Sequence, residues 1–298
     1  MKKVFFLSLV LTVAMGAQAQ LKVAPKMQLG DQKTYESKTV MNLPGQSTVT
    51  LNDETTISVA EVLADGFVLS VETTKVTSDA KADDIAGQLI AAAQEMMMGA
   101  DIRVATNAEG KPLDIVNFED LKKNIDKRVD LLIEKMMKTT PQLGEMMPKE
   151  TLKTQIMANL TKESLLMTFS NSSCPLILNG KTLMTGAQEE YTTDQGIKMK
   201  RMFFVNGNKV TTNGSANMSK EELKEMIIKQ VEKAAPEQAD MVKQNIDQLM
   251  ASGMLKIDVK ETASYEIQED GWVKSISGEV NNDAMGQQIK TTYTVTLK

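Results

Sequence analysis

The sequence predicts an α+β fold, in which a curved antiparallel β-sheet built from hairpins is covered by long amphipathic helices inserted between its strands. Asn-Gly and Asp-Gly pairs are the first observation, because they readily adopt the positive φ angles of tight hairpin turns. A parallel sheet would instead need long crossover connections. The second observation is that the spacing of apolar residues changes from alternation to a helical period between the hairpins. The five pairs begin at Asp65, Asn179, Asn206, Asn213 and Asp270.

Residues 1–19 have the features of a secretory signal peptide. Two lysines precede an apolar run over residues 4–15, and a small-residue cleavage site ends at Ala19, which makes Gln20 the first mature residue. That run is shorter than the roughly 20 residues that span a bilayer. No cysteine lies near the cleavage point, and no other run is long and apolar enough to cross a membrane. We therefore expect a soluble periplasmic or secreted protein without a lipid anchor.

The mature chain is expected to open with a β-meander. Its β-branched and aromatic residues are typical of strands, and they are divided by turn residues. The turn at Asp65-Gly66 predicts a hairpin in which Val68 and Ser70 face one way while Leu69 and Val71 face the other. The four predicted strands cover residues 34–40, 48–51, 55–62 and 67–76.

Two helices and a pair of strands are predicted next. Residues 80–98 carry apolar side chains at i, i+4 spacing, and Gly99 is suited to end that helix. Asn117 is expected to cap the second helix, with Glu119 and Asp120 in its first turn. The predicted strands between the helices cover residues 102–106 and 113–116, and the apolar stripe of the second helix is Phe118, Leu121, Ile125, Val129, Leu132, Ile133 and Met136.

Further along the chain, helices are predicted over residues 149–160 and 162–169. A hairpin is predicted over residues 176–184, centred on Asn179-Gly180, and another is centred on Asn206-Gly207. Asn213-Gly214 indicates a further turn. The remaining predicted strands cover residues 190–192, 198–205 and 209–211.

The last predicted helical region begins with a capping box, formed by Ser219 and Glu222. Pro236 should end its first helix, and Gly253 should end the second. Strands are then predicted over residues 255–268, 272–276 and 289–297. In each half a helix is followed by a glycine and two strands joined by an acidic-Gly turn. Residues 20–298 therefore form either one domain or two loosely similar halves, about 20–170 and 171–298.

Composition excludes several classes of function. The chain has 34 basic and 39 acidic residues and no basic run, which argues against nucleic-acid binding. It has no histidine, so no Ser-His-Asp triad, Cys-His pair or imidazole metal site can form. Its one cysteine, Cys174, cannot form an internal disulfide. We expect a protein without enzymatic activity or cofactor. The remaining enzymatic alternative is a carboxylate-dependent hydrolase, with Asp83-Asp84, Glu189-Glu190 and Glu221-Glu222 as the candidate acid pairs.

Methionine is the unusual residue, with 22 copies against one tryptophan. One interpretation is that methionine fills a core poor in aromatic residues. A second is an adaptable groove between helices and sheet for an acyl chain, an amphiphile or a partner's helix. A third, thioether binding of copper, lacks a repeated spacing of methionines along an open loop. The residues proposed to line the groove are Met96, Met97, Leu132, Met136, Ile227, Met250 and Trp272.

Two short features carry a resemblance. Leu29-Gly30-Asp31 precedes Tyr35 at the start of the mature chain, and Asp270-Gly271-Trp272 forms a turn late in it. In this layout the chain resembles secreted Gram-negative envelope proteins of unknown function. The helix-covered curved sheet is also similar to the periplasmic lipoprotein-carrier fold, whose members shelter acyl chains, and this similarity is an analogy of fold alone.

Together these observations predict an exported envelope protein that binds a hydrophobic or amphiphilic ligand, or a partner, in the groove between sheet and helices. The alternative is a structural or assembly module that docks on a larger envelope complex through methionine-rich helix faces. We expect that the protein does not bind nucleic acid and that the mature chain has no membrane-spanning segment.

Overall fold

A computed structural model of the chain describes residues 20–45, 48–81, 84–139, 148–193, 196–234, 239–251, 257–284 and 287–298. The predicted signal peptide, 1–19, lies outside the described residues, as do Asp83, Pro236 and Gly253. Within the described ranges the fold is α+β with antiparallel sheet, as the hairpin turns predict.

Thirteen strands and six helices occur in the described residues. The strands are β1 Leu21–Val23, β2 Gln32–Asn42, β3 Thr48–Val62, β4 Gly66–Ser78, β5 Asp101–Asn107, β6 Pro112–Ile115, β7 Lys181–Leu183, β8 Gln188–Thr192, β9 Lys198–Asn206, β10 Lys209–Ala216, β11 Ile257–Ile267, β12 Val273–Ala284 and β13 Gln287–Leu297. The helices are α1 Ile85–Met97, α2 Phe118–Thr139, α3 Lys149–Asn159, α4 Lys162–Thr168, α5 Lys220–Ala234 and α6 Ala239–Ala251.

Eleven of these strands form one antiparallel sheet in the order β6-β5-β4-β3-β2-β13-β12-β11-β10-β9-β8. Neighbouring strands in the sheet are consecutive along the chain, except that β2 pairs with β13 and places Tyr35 opposite Leu297. The sheet is open, with β6 and β8 at its edges. Strands β1 and β7 pair separately. All helices of the described residues lie in connections between strands. The sequence predicts this arrangement, because the apolar spacing changes to a helical period between the hairpins.

The large sheet has an apolar inner face and a polar outer face. On β13, Tyr293 and Val295 are buried, whereas Thr294 and Thr296 are exposed, as alternation predicts. Helix α2 contacts α1, α3 and β5, and its apolar stripe belongs to the main core. Buried members of this core include Leu121, Ile125, Val129 and Ile133 from α2 and Tyr35, Ile57, Leu69 and Val104 from the sheet.

Helix α1 is fixed at both ends. Asp84 accepts a hydrogen bond from the Gly87 amide at its N-terminus. Gly99 follows its C-terminus with a φ of 68°, and its amide donates to the Thr73 carbonyl of β4 at 2.7 Å. The Arg128 guanidinium of α2 donates to the carbonyls of Met98 and Gly99, which places a cation where the helix dipole is negative.

The segment before β2 packs against the turn between β11 and β12. The Lys26 amide donates to the Asp270 carbonyl at 2.8 Å, and the Trp272 indole N–H donates to the Lys26 carbonyl at 3.3 Å. Gly271 has a φ of 87°, and a Cβ there would lie 2.7 Å from the Ala24 carbonyl oxygen. The segments 29–35 and 270–272 therefore meet here, because Lys33 pairs with Asp270 at 3.0 Å.

Three details differ from the sequence-based expectation. Residues 48–51 and 55–62 form the single strand β3, whose pairing with β4 shifts register next to Thr55 and so masks the alternation. The predicted hairpin over residues 176–184 is wrong, because Leu176, Ile177 and Leu178 are buried in turns and β7 pairs with β1. Asn117 does precede α2, and its carbonyl accepts a hydrogen bond from the Leu121 amide at 3.0 Å, but its side chain bonds to the β5 backbone at Asp101 and Arg103 and not to the helix.

The turn predicted at Asn213-Gly214 is also wrong, because both residues lie within β10. Gly214 is paired with Arg201 on β9 and with Glu261 on β11. A Cβ at Gly214 would lie 2.6 Å from the Cγ atom of Glu261. A side chain at this position would clash with Glu261, so glycine is required here. The Asn213-Gly214 pair does not form a turn.

The capping box that opens α5 is confirmed. The Glu222 amide donates to the Ser219 hydroxyl at 3.2 Å, and the Ser219 amide donates to the Glu222 carboxylate at 2.8 Å. We expect Ser219→Ala to lower the free energy of unfolding by about 1 kcal/mol, the usual effect of losing an N-cap. Chemical denaturation followed by circular dichroism measures this change. Ser277→Ala, on the exposed face of β12, is the matched control, and an equal loss in both variants would contradict the capping role.

Candidate functional site

A cleft of about 1180 Å³ lies between two groups of helices at one end of the sheet. Helices α3 and α4 form one wall, and α5 forms the other together with the ends of β8 and β9. The residues that line it are Thr154, Gln155, Ala158, Asn159, Thr161, Glu163, Ser164, Leu165, Met167, Thr168, Thr192, Thr193, Gly196, Lys198, Met218, Glu222, Glu225, Met226 and Lys229.

Apolar side chains stand on both walls of the cleft. Leu165 and Met167 come from α4, and Met218 and Met226 come from the segment before α5 and from α5 itself. Met218 and Met226 also pack against a small core at this end of the sheet, whose buried members are Ile197, Met199 and Val259. The flexible thioether side chains give the cleft a surface that can adapt to apolar groups of different shape.

The charges in the cleft are of both signs. Lys198 forms an ion pair with Glu222, and the hydrogen bond from Lys198, together with that from the Ser219 amide, lowers the pKa of Glu222 to about 2. Glu163, Glu225 and Lys229 complete the charged lining. The cleft therefore offers apolar contact and polar contact side by side.

The joint between α3 and α4 is held by hydroxyl groups. The Ser164 amide donates to the Thr161 hydroxyl at 3.0 Å, and the Thr161 amide donates to the Ser164 hydroxyl at the same distance. On the facing side, Thr193 accepts from the Ile197 amide at 3.1 Å. These bonds hold the backbone at the α3–α4 joint and between β8 and β9.

A buried ion-pair cluster lies beside the cleft on the inner face of the sheet. Arg201 is 1% exposed, and its Nε and Nη2 atoms lie 2.9 Å from one carboxylate oxygen of Glu261. Its Nη1 atom lies 3.6 Å from Glu189, whose carboxylate also pairs with Lys181 at 2.6 Å. The Tyr191 ring stacks on the guanidinium, with 4.1 Å between Cζ and the ring centroid. The cations Arg201 and Lys181 are therefore balanced by the anions Glu261 and Glu189.

The segment after α4 closes this cluster. The Ser172 hydroxyl donates to Glu261 at 3.1 Å, and the Tyr265 hydroxyl donates to the Ser172 carbonyl at 2.9 Å. Arg201 donates to the Ser170 carbonyl at 3.4 Å. Burial is the largest single influence on Arg201 and lowers its pKa, but the Glu261 carboxylate, Tyr265 and Tyr191 together outweigh burial and raise the pKa. Burial is the largest influence on Lys181 and lowers its pKa.

The structure divides the seven residues proposed from sequence among three places. Met136 is buried in the main core, and Met96, Met97 and Leu132 pack against that core where α1 and α2 meet. The remaining residues are Ile227 on α5, Met250 on α6, both partly buried, and Trp272 beside Lys26 at the turn between β11 and β12. None of the seven is among the residues that line the cleft.

The cleft's own methionines, Met167, Met218 and Met226, were missed by the sequence analysis. The sequence offers one indication of Met218 and Met226. They lie just before and just after the predicted start of α5, and the strands predicted over residues 198–211 come directly before them. In the described part of the chain, no group of three or more acidic or cysteine side chains could hold a metal ion. Nor is any described helix long and apolar enough to span a membrane.

Comparison with known proteins gives distant similarities. No protein-family model and no curated protein matches the sequence. Among solved structures, lipovitellin, from a study of lipid–protein interactions, aligns with 92% of this chain at 10% identity and a TM-score of 0.39, and the chain spans 25% of its length. A porin-like protein from Bacteroides uniformis aligns with 93% of this chain and 98% of its own, at 10% identity and a TM-score of 0.19. An outer membrane channel from Pseudomonas putida covers 92% of this chain and 98% of its own, at 4% identity and a TM-score of 0.19.

Proposed function

We propose that the protein is a non-catalytic binding protein of the cell envelope that holds an amphiphile in the cleft between α3, α4 and α5. The observation that carries this proposal is the composition of the cleft walls. Leu165, Met167, Met218 and Met226 offer apolar contact within the same space as charged and hydroxyl side chains. A cleft of about 1180 Å³ is also slightly above the usual range of roughly 300–1,000 Å³ for small-molecule sites.

The same lining argues for binding without chemistry. Glu222 is committed to Lys198 and to the Ser219 amide, so its carboxylate is held in the charged state and is not poised to exchange a proton near neutral pH. The chain contains no histidine to act as a general base in its place. The signal-peptide pattern of residues 1–19 supports an envelope location.

We expect Ala158→Trp to abolish binding of an apolar fluorescent probe such as N-phenyl-1-naphthylamine, or to weaken it by about tenfold or more. Ala158 is an exposed residue of α3 that lines the cleft, so an indole there obstructs part of the site without disturbing the core. The measurement is a fluorescence titration. Leu131→Trp, at an exposed position of α2, is the matched control and should bind the probe like the wild type.

Organic extracts of the purified wild type and Ala158→Trp proteins, compared by mass spectrometry, test for a natural ligand. An amphiphile that co-purifies with the wild type and is lost from the variant supports the proposal. Equal probe binding by both proteins, together with clean extracts, would contradict it and favour the docking module. In that case the exposed Leu131 and Met241 side chains on α2 and α6 would be the first surfaces to test for a protein partner.

A further inference from the structure

The larger apolar side chains of the cleft are mainly methionines. Met167 lies on α4, Met218 in the segment before α5 and Met226 on α5, and each of the three is partly buried. Leu165 also lines the cleft, but it belongs to the main core and is buried there. The other lining residues are polar, charged or no larger than alanine. The apolar contact that the cleft offers to a ligand therefore comes largely from three thioether side chains.

The sulfur atom of Met226 borders open space. Gly196 lines the cleft beside it, in the turn between β8 and β9. Apart from its chain neighbours, a Cβ at Gly196 would have two described atoms within 4 Å, the Cγ atom of Met226 at 3.9 Å and its Sδ atom at 4.0 Å. A small solute can therefore approach this sulfur from the cleft.

The single cysteine of the chain does not compete with these thioethers for an oxidant. Cys174 is half-buried, and burial raises the pKa of its thiol to about 12. Near neutral pH it therefore has very little of the thiolate form that oxidants attack. Oxidation of methionine to the sulfoxide needs no deprotonation, so access to the sulfur decides which methionines react.

We propose that Met167, Met218 and Met226 are oxidation sites, and that their conversion to methionine sulfoxide prevents ligand binding in the cleft. This inference rests on the proposed function and adds a regulation of the same site. With hydrogen peroxide as the oxidant, a sulfur lone pair attacks one peroxide oxygen, an S–O bond forms, the O–O bond breaks and water leaves. A thiol-dependent methionine sulfoxide reductase restores the thioether, releasing the oxygen as water while two thiols become a disulfide.

The sulfoxide makes the cleft wall polar at the positions where a ligand needs apolar contact. In the free protein, water can donate hydrogen bonds to the new oxygen. An apolar ligand would displace that water and leave the oxygen without a donor, which is unfavourable. We therefore expect oxidation to weaken binding of N-phenyl-1-naphthylamine by about tenfold or more.

The experiment treats the purified protein with hydrogen peroxide and follows both modification and binding. Peptide mass spectrometry locates each added oxygen, with the exposed Met98 and Met241 as references for access and the buried Met199 as the protected residue. We expect the cleft methionines to be oxidised at a dose that oxidises both references and spares Met199. Probe binding, titrated by fluorescence, should fall after treatment and recover after repair with methionine sulfoxide reductase and a thiol.

Two sets of variants test whether the cleft causes the loss of binding. Met167→Leu/Met218→Leu/Met226→Leu keeps apolar side chains of similar volume that cannot take up oxygen, so it should bind the probe like the wild type before and after peroxide. Met98→Leu/Met241→Leu is the matched control, because it removes two exposed methionines and leaves those of the cleft. It should lose binding like the wild type. If the triple variant does not fold, the three single variants replace it, and each should retain part of the binding.

The outcomes separate this inference from the proposed function. If the untreated wild type does not bind the probe, the proposed function fails and takes the inference with it. If it binds, the inference alone fails when the cleft methionines stay unmodified at a dose that oxidises Met98 and Met241, or when they are oxidised and binding is unchanged. It also fails if the leucine variants of the cleft lose binding as fully as the wild type, or if circular dichroism shows that the treated protein is unfolded.

Discussion

Glu261→Ala should lower the free energy of unfolding by about 3–5 kcal/mol, the usual effect of leaving one member of a buried ion pair without its partner. Arg201 is 1% exposed, and its Nε and Nη2 atoms both bind Glu261 at 2.9 Å. Without that carboxylate the guanidinium keeps only Glu189, at 3.6 Å, and the Ser170 carbonyl. Chemical denaturation at neutral pH, followed by circular dichroism, measures the loss.

The double variant Arg201→Met/Glu261→Leu is the control for this prediction. Replacing both charges with apolar side chains of similar size removes the unpaired charge, so we expect stability within about 1 kcal/mol of the wild type, or higher. A double variant that loses as much as Glu261→Ala would show that packing around Gly214 causes the effect, and the explanation by buried charge would be wrong.

Trp272→Ala is expected to lower the free energy of unfolding by about 3–5 kcal/mol, the range for removing a large buried aromatic side chain. Trp272 is 1% exposed, and its indole N–H holds the Lys26 carbonyl of the segment before β2. The change should therefore also release that segment, which limited proteolysis near Lys26 would detect.

Leu131→Ala is the control for the tryptophan, because Leu131 is 69% exposed and its truncation should change stability by less than about 0.5 kcal/mol. Stability losses of similar size in the two variants would contradict the core role of Trp272. A destabilised Trp272→Ala protein whose cleavage near Lys26 is unchanged would show that the indole packs in the core without holding the N-terminal segment.

The hairpins were predictable because their chemistry is local. Asn206-Gly207 and Asp270-Gly271 lie between strands that pair directly, and both glycines have positive φ, 61° and 87°. The same local reasoning failed at Asn213-Gly214. There the glycine is needed because the Glu261 side chain, distant in the sequence, occupies the space where a Cβ would stand.

Long-range pairing explains the other errors. The pairing of β7 with β1 joins Leu183 to Leu21, and nothing in residues 176–184 indicates a partner so far away. The cleft was missed for the same reason, since its walls come from three separated segments of the chain.

The buried charge could not be predicted either. Arg201 follows Lys198 and Lys200 in β9, and these neighbours indicate a solvated strand. The lining residues were predicted because they are apolar and most of them lie in methionine-rich helices. These properties occur in helices that pack in the core as readily as in the walls of a cleft.

The junction between β2 and β13 has a consequence for the order in which the protein folds. Every other neighbouring pair in the eleven-stranded sheet is consecutive along the chain, so each half can grow outward from short turns. Joining Tyr35 to Leu297 instead closes a loop that contains nearly all of residues 20–298. Such closures lose more conformational entropy and form slowly. We therefore expect the two halves of the sheet to form early and the pairing of β2 with β13 to form last.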